Sequence, residues 1–365
     1  MAKRVFILCG EASGDLHAAN LVRQWNQLDH DTIFKAWGGD RLKAEKVEVL
    51  KDIKDLSFMG FVEVLKHLRT ISRNFKECKK TLIEFKPDAL ILVDFPGFNL
   101  RMARWAKEHG IRVIYYISPQ LWAWKKGRIR QVRNYVDHMY CILPFEQDFY
   151  QQFQYQVAYF GHPLLDEIAQ FNQQRKSLDL GDKPILALLP GSRIQEVRRK
   201  LPIMLAAVKH VEGYKVVIAC SNQISPHVFD EFATEDIHLV FGKTYEVLQA
   251  AELALVTSGT ATLETALFRV PQVVCYKSNM LSYWIARQVV KINYISLVNL
   301  ILNEPLVVEL IQHRCNEKTI REELNKLINN QAYRNSMIEG YDRLIAQLGH
   351  HGASKRIAVS MLETF

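Results

Sequence analysis

The chain has 365 residues, and at roughly 150 residues per domain that length calls for two domains, each able to bury a core. Hydrophobic residues make up 48% and charged residues 24% of it, a balance that excludes wholesale disorder and a small stapled scaffold. The 47 basic side chains exceed the 39 acidic ones by 8, which favours an anionic partner (nucleotide, phospholipid surface or nucleic acid) without choosing among them.

The first apolar run ends at Cys9 and is too short for a signal sequence. No stretch of about 18 apolar residues is present to span a bilayer, so a cytoplasmic location is expected. Cys9, Cys78, Cys141, Cys220, Cys275 and Cys315 form no CxxC pair and read as reduced core thiols. Residues 5–9, 89–93, 112–117 and 139–143 read as strands, with helical-period segments at 15–28, 61–85 and 99–108 between them, the alternation of a parallel α/β sheet. The run Ala89-Leu-Ile-Leu-Val93 is apolar at every position, as a strand covered on both faces requires.

A polar stretch, residues 170–183, reads as an interdomain linker. Beyond it the alternation restarts, with strands at 185–189, 215–219, 253–257 and 272–275 and helices beginning near Ile194, Thr260 and Leu281. The expected organisation is α/β with two Rossmann-like domains, 1–170 and 171–351, facing each other across a cleft. The last segment, 352–365, is able to return to either half.

The candidate chemistry sits where strands run into turns. After the first strand, Gly10-Glu-Ala-Ser-Gly14-Asp15 puts Gly10, Ser13 and Gly14 at a phosphate-loop position, although neither the GxGxxG nor the GxxxxGK[ST] spacing is present. A plain helix cap by Ser13 or Asp15 explains the same residues equally well. The strand ending at Val93 delivers Asp94, with Pro96 and Gly97 stopping the strand. Phe95 and Phe98 beside it would desolvate the carboxyl and suit it to take a proton, and a helix-capping aspartate is the alternative. In the second half, Pro190-Gly191-Ser192-Arg193 and Thr257-Ser258-Gly259-Thr260-Ala261 are both small-residue turns into helices, suited to a pyrophosphate, with Glu264 placed for a ribose. No metal-ligand spacing occurs, so charge on a leaving group falls to Arg193 and helix N-termini, and turnover is expected to be indifferent to chelators.

Residues 56–80 combine large apolar side chains with basic ones, as an interfacial helix does, or as a core helix with a basic outer face does. Residues 101–135 add nine basic side chains against Glu108 alone, with Trp122 and Trp124 among them. This belt fits anionic lipid head groups better than RNA, because no RNA-binding module accompanies it.

Six motifs taken together, Gly10-Glu-Ala-Ser-Gly-Asp15, Asp94-Phe-Pro-Gly-Phe-Asn99, Ser118-Pro-Gln-Leu-Trp-Ala-Trp124, Phe160-Gly-His-Pro163, Leu189-Pro-Gly-Ser-Arg193 and Thr257-Ser-Gly-Thr-Ala261, closely resemble the lipid-A-disaccharide synthase family of Gram-negative bacteria, in order over nearly the whole chain. The resemblance implies an inverting, metal-independent GT-B glycosyltransferase without a cofactor. It would join UDP-2,3-diacylglucosamine to 2,3-diacylglucosamine 1-phosphate through a β-1,6 bond with release of UDP, in lipid A biosynthesis. It further implies peripheral association with the inner membrane and a homodimer, with no nucleic-acid partner. By motif, Asp94 corresponds to the family's essential aspartate and Arg193 to its essential arginine, Asn299 to an asparagine near the donor, and Ser258, Gly259, Thr260 and Glu264 to the nucleotide turn and its ribose carboxylate. Ala12 stands where other members have threonine, and Phe-Pro-Gly follows Asp94 where some have Ala-Pro-Asp. A UDP-sugar 2-epimerase of the same architecture and a basic RNA-binding protein are the competing readings.

Overall fold

A computed structural model describes residues 2–56, 68–123, 126–174, 178, 180–234, 236–289 and 292–365. The chain divides into two compact units. One comprises Met1–Asp166, Ala286–Lys291 and Gly349–Phe365, the other Glu167–Ile285 and Ile292–Leu348.

The first unit carries seven strands, β1 (Arg4–Cys9), β2 (Ile33–Gly38), β3 (Glu48–Asp52), β4 (Ala89–Val93), β5 (Arg112–Tyr116), β6 (His138–Cys141) and β7 (Ala158–Tyr159). They lie in the order β3-β2-β1-β4-β5-β6-β7, and every ladder between them is parallel. Successive residues of the central strands feed opposite faces. Phe6, Leu8, Leu90, Leu92, Val113 and Tyr115 enter one apolar cluster, while Val5, Ile7, Cys9, Ile91, Val93, Ile114 and Tyr116 enter the other. That is why these strands are apolar throughout rather than alternating.

The helices α1 (Ala12–Leu28), α2 (Asp40–Ala44), α3 (Leu68–Phe85), α4 (Pro96–Glu108), α5 (Ile129–Tyr135) and α6 (Glu146–Gln151) cover the two faces, and α7 (Leu164–Gln173) follows β7. Of the expected membrane segment, Leu56 is described and lies buried in the cluster of Phe6 and Leu8 rather than on a surface, and the description resumes at α3. Phe58, Met59, Phe61, Val62, Val64, Leu65, Lys66, His67, Trp124 and Lys125 lie outside the described residues. Arg73, Lys76 and Lys80 on α3, Arg101, Arg104 and Lys107 on α4, and Arg130 and Arg133 on α5 are exposed. No helix among the described residues is long and apolar enough to cross a membrane.

The second unit has six strands, β8 (Ile185–Leu189), β9 (Lys215–Cys220), β10 (Ile237–Phe241), β11 (Ala251–Thr257), β12 (Gln272–Tyr276) and β13 (Val308–Ile311). Their order is β10-β9-β8-β11-β12-β13, again with parallel ladders throughout. Its helices are α8 (Ile194–Val208), α9 (Thr244–Ala250), α10 (Thr260–Leu267), α11 (Met280–Val289), whose end from Ala286 belongs to the first unit, α12 (Leu297–Leu302), α13 (Glu317–Asn329) and α14 (Gln331–Leu348).

The last helix, α15 (Ala353–Leu362), returns to the first unit. Ile357, Ala358 and Met361 join the cluster of Ala18, Val22 and Trp25 on α1. Asp166 caps it from a distance, accepting from Gly352 N at 2.5 Å and Ser354 N at 2.8 Å. All six cysteines are buried and unbridged.

In each sheet the strand order reverses once. In the first unit the chain leaves β1 toward β2 and leaves β4 toward β5. In the second it leaves β8 toward β9 and leaves β11 toward β12. Connections departing in opposite directions open a crevice at the carboxyl ends of those strand pairs, the place where such sheets bind ligands.

Candidate active site

At the first reversal, β1 and β4 are in register from Val5 opposite Ala89 to Cys9 opposite Val93, so Gly10 and Asp94 emerge side by side. Gly10 has no room for a side chain, since a Cβ there would fall 2.2 Å from the Phe95 ring. Asp94 and Phe95 both take φ of +47°. Two consecutive left-handed residues without glycine are strained, and such strain survives only where surrounding bonds hold it. Those bonds are present. The Asp94 carbonyl accepts from buried Tyr115 Oη at 2.6 Å and from Asn99 Nδ2 at 2.7 Å, and Asp94 N donates to Tyr116 O at 3.1 Å. Asn99 is itself wholly buried and also reaches Val93 O at 3.2 Å.

The half-buried Asp94 carboxyl is pushed up to about 7, first by burial and then by the charge of Glu11, against the opposing Phe95 amide hydrogen bond. A carboxyl poised there exchanges a proton near neutrality, as a general base requires. It does not cap α4, whose N-cap is Phe95. Asp15, expected as a local cap, does something else. Its carboxylate accepts from Gly39 N at 2.6 Å and Arg41 N at 2.9 Å, capping α2 across 26 residues, while Glu11 occupies the N-cap position of α1. Ser13 and Gly14 lie in the first turn of α1, and Gly14 packs within van der Waals reach of Val93.

At the second reversal, Gly191 has φ of +122° and a Cβ there would meet the Glu196 carboxylate at 2.2 Å. Ser192 is exposed, and Arg193 is the N-cap residue of α8. The Arg193 guanidinium is 44% exposed and rests 3.4 Å from Glu196, so it is available to an anion at the helix start. The turn after β11 has Gly259 at φ +144° as N-cap of α10, where nothing lies within 4 Å of a Cβ position. Ser258 Oγ is used inward, donating to Ile295 O at 2.8 Å. Thr260 and Ala261 open α10 with their backbone amides at its free end. Glu264, one turn in, accepts from Tyr245 Oη at 3.0 Å, and burial together with the charge of Glu167 pushes it up to about 7.

A family model described as lipid-A-disaccharide synthetase matches residues 5–361. The chain belongs to that family. Among relatives, the lipid-A-disaccharide synthase of Myxococcus xanthus (strain DK1622) is 39% identical over 371 residues, covering 99% of this chain and 97% of that one. The one from Coxiella burnetii (strain CbuK_Q154) is 36% identical over 370 residues, covering 98% and 97%. Among solved structures, the fold is shared with the UDP-GlcNAc 2-epimerase from Neisseria meningitidis bound to UDP-GlcNAc (TM-score 0.66, 14% identity, 99% and 100% covered). It is also shared with the glycotransferase of kitacinnamycin (TM-score 0.68, 10% identity, 100% and 99% covered). At these identities the structures establish the GT-B-like architecture alone.

Within this family member the structure groups the expected residues unit by unit. Gly10, Ser13, Gly14 and Asp94 meet at the first reversal, and Gly191, Ser192, Arg193, Ser258, Gly259, Thr260 and Ala261 at the second, with Glu264 one turn behind. Asn299 is different: all its side-chain bonding is internal. Its Nδ2 donates to Val307 O at 2.8 Å and to Glu309 at 3.0 Å, and its Oδ1 accepts from Val307 N at 2.9 Å.

Sequence reasoning missed the hub that Asn299 serves. Glu309 also accepts from Ile295 N, Ser296 N and Ser296 Oγ, the last at 2.7 Å, and so braces the loop that holds Ser258. It missed Glu146 as well. Buried and pushed up to about 7 by desolvation, Glu146 takes the Trp122 indole N–H at 3.1 Å and Leu143 N at 3.0 Å, which pins the Ser118–Trp122 stretch to the start of α6. Neither acid stands in a motif; each is recognisable only from partners that folding brings to it.

Proposed function

We propose that this lipid-A-disaccharide synthase transfers the 2,3-diacylglucosamine of its UDP-activated donor to the 6-hydroxyl of 2,3-diacylglucosamine 1-phosphate, with inversion. Asp94 takes the hydroxyl proton as the oxygen attacks the anomeric carbon. The bond from that carbon to the diphosphate breaks on the opposite face, and UDP leaves. Arg193 and the amides opening α8 and α10 carry the charge that develops on the diphosphate, and Glu264 serves the ribose. Gly191 and Gly259 let the phosphates approach the backbone closely. Gly10, Ser13 and Gly14 shape the acceptor side beside Asp94.

One observation carries this reading: in a chain matching the family from residue 5 to 361, the motif residues fall at the strand reversals of both sheets. The acylated substrates are taken at the cytoplasmic face of the inner membrane, against the basic surface of α3, α4 and α5. The 2-epimerase reading is not favoured, because its support is shared fold at 14% identity, against 39% identity to a synthase along the full length. The deciding experiment incubates the purified protein with both acylated substrates in detergent and follows lipid products by mass spectrometry. A disaccharide 1-phosphate is expected. A UDP-sugar epimerised at C2 with no disaccharide would overturn the proposal.

A further inference from the structure

Soluble proteins turn the apolar stripe of a helix inward, yet α11 (Met280–Val289) keeps two large apolar side chains in solvent. Met280 is 63% and Trp284 54% exposed, and half-buried Tyr283 lies between them. With exposed Arg287 these positions follow the i, i+3, i+4, i+7 spacing of one helix face. That face therefore offers solvent a methionine, two aromatics and a terminal arginine. Along the chain the charge beside it is one-sided: residues 265–303 contain no aspartate or glutamate and include Lys277, Arg287 and Lys291, while Arg269 in the same span is paired with Asp342 at 2.7 Å.

An exposed tryptophan and methionine flanked by cations suit the boundary between lipid head groups and acyl chains. There the indole keeps its N–H wet, the thioether and ring leave water, and the cations meet lipid phosphates. A second copy of the chain fits the same feature less well. Three side chains cover far less than the roughly 800 Å² per partner of a stable interface, and a like-charged surface would repel itself.

We infer that α11 is an interfacial anchor by which the protein rests on an anionic lipid bilayer, with Met280 and Trp284 inserted and Arg287 at the head groups. The inference rests on the proposed use of membrane-held substrates and extends it, because it adds a lipid contact on α11 to the basic surface of α3, α4 and α5.

The test uses the full chain with phosphatidylglycerol-containing vesicles and no substrate. Wild-type protein is expected to float with such vesicles more than with phosphatidylcholine vesicles, and lipids brominated near the head of the acyl chain should quench its tryptophan emission. W284F should lose most of that quenching. M280S/W284S should lower the vesicle partition coefficient about tenfold, and R287E should lower it further at low salt than at high salt. Disaccharide formation from detergent-dispersed substrates should stay near wild type in these variants, showing that they fold and leaving the functional reading separately tested. Unchanged partition and unchanged quenching in the variants would overturn the inference. So would an M280S/W284S effect confined to self-association in sedimentation.

Discussion

The two strand reversals occupy the same topological place in two similar sheets, yet they are furnished for different work. The first is built from carboxyls and aromatic rings. Asp94 is held in a left-handed conformation by Tyr115 and Asn99, and its proton affinity is raised by burial and by Glu11. The second is built from glycines, hydroxyls, helix N-termini and a half-exposed arginine. The contrast teaches that one architecture supplies the same two positions while the turn residues set their chemistry, a raised carboxyl at the first and free helix amides at the second, to which we assign proton transfer and anion binding.

The sharpest way to break that contrast is to remove each side in turn. D94N should lower disaccharide formation by about 10³-fold, the scale of a lost general base, with KM for the UDP-sugar little changed. R193A should lower kcat/KM by about 10²-fold with the loss visible in donor affinity, since it removes charge stabilisation from the diphosphate. Equal effects of both variants on donor affinity would erase the distinction.

A smaller effect probes the scaffold of the base. Y115F leaves the Asp94 carbonyl with Asn99 alone, so kcat should fall about tenfold at constant KM. A fall in KM-dependent binding with normal kcat would remove the positioning role.

The smallest effect concerns pH. As the proposed base, Asp94 acts in its ionised form, so kcat/KM should fall as pH drops below about 7. Stability runs the other way. Because the folded carboxyl holds its proton up to about 7 against an ordinary 3.8, the folded state binds more protons than the unfolded one between those values. Stability from this group is therefore lost as pH rises through about 7. D94N, which cannot ionise, should accordingly melt a few degrees above wild type at pH 8 and gain less at pH 5. A variant less stable at pH 8 would contradict that sign.

Much of this was legible in the sequence because the central strands are buried on both faces: residues 5–9 of β1, all of β4 and β8, and residues 253–256 of β11 read as unbroken apolar runs with the motif residues just beyond them. The edge strands were not legible. β3 reads Glu-Val-Leu-Lys-Asp with exposed and half-buried positions, β7 is two residues long, and no residue of β10 is fully buried, so none leaves a hydrophobic signature. Asp15, Glu146 and Glu309 escaped for a different reason. A carboxylate that holds a distant loop has nothing beside it in the chain to announce its partner. Asn299 shows the converse, a motif residue whose side chain is engaged within its own unit.

The account stands or falls most directly on calorimetric titration of UDP into the wild-type, D94N and R193A proteins. It predicts that D94N binds UDP as the wild type does and that R193A binds at least about tenfold more weakly. UDP affinity lost in D94N and kept in R193A would contradict it.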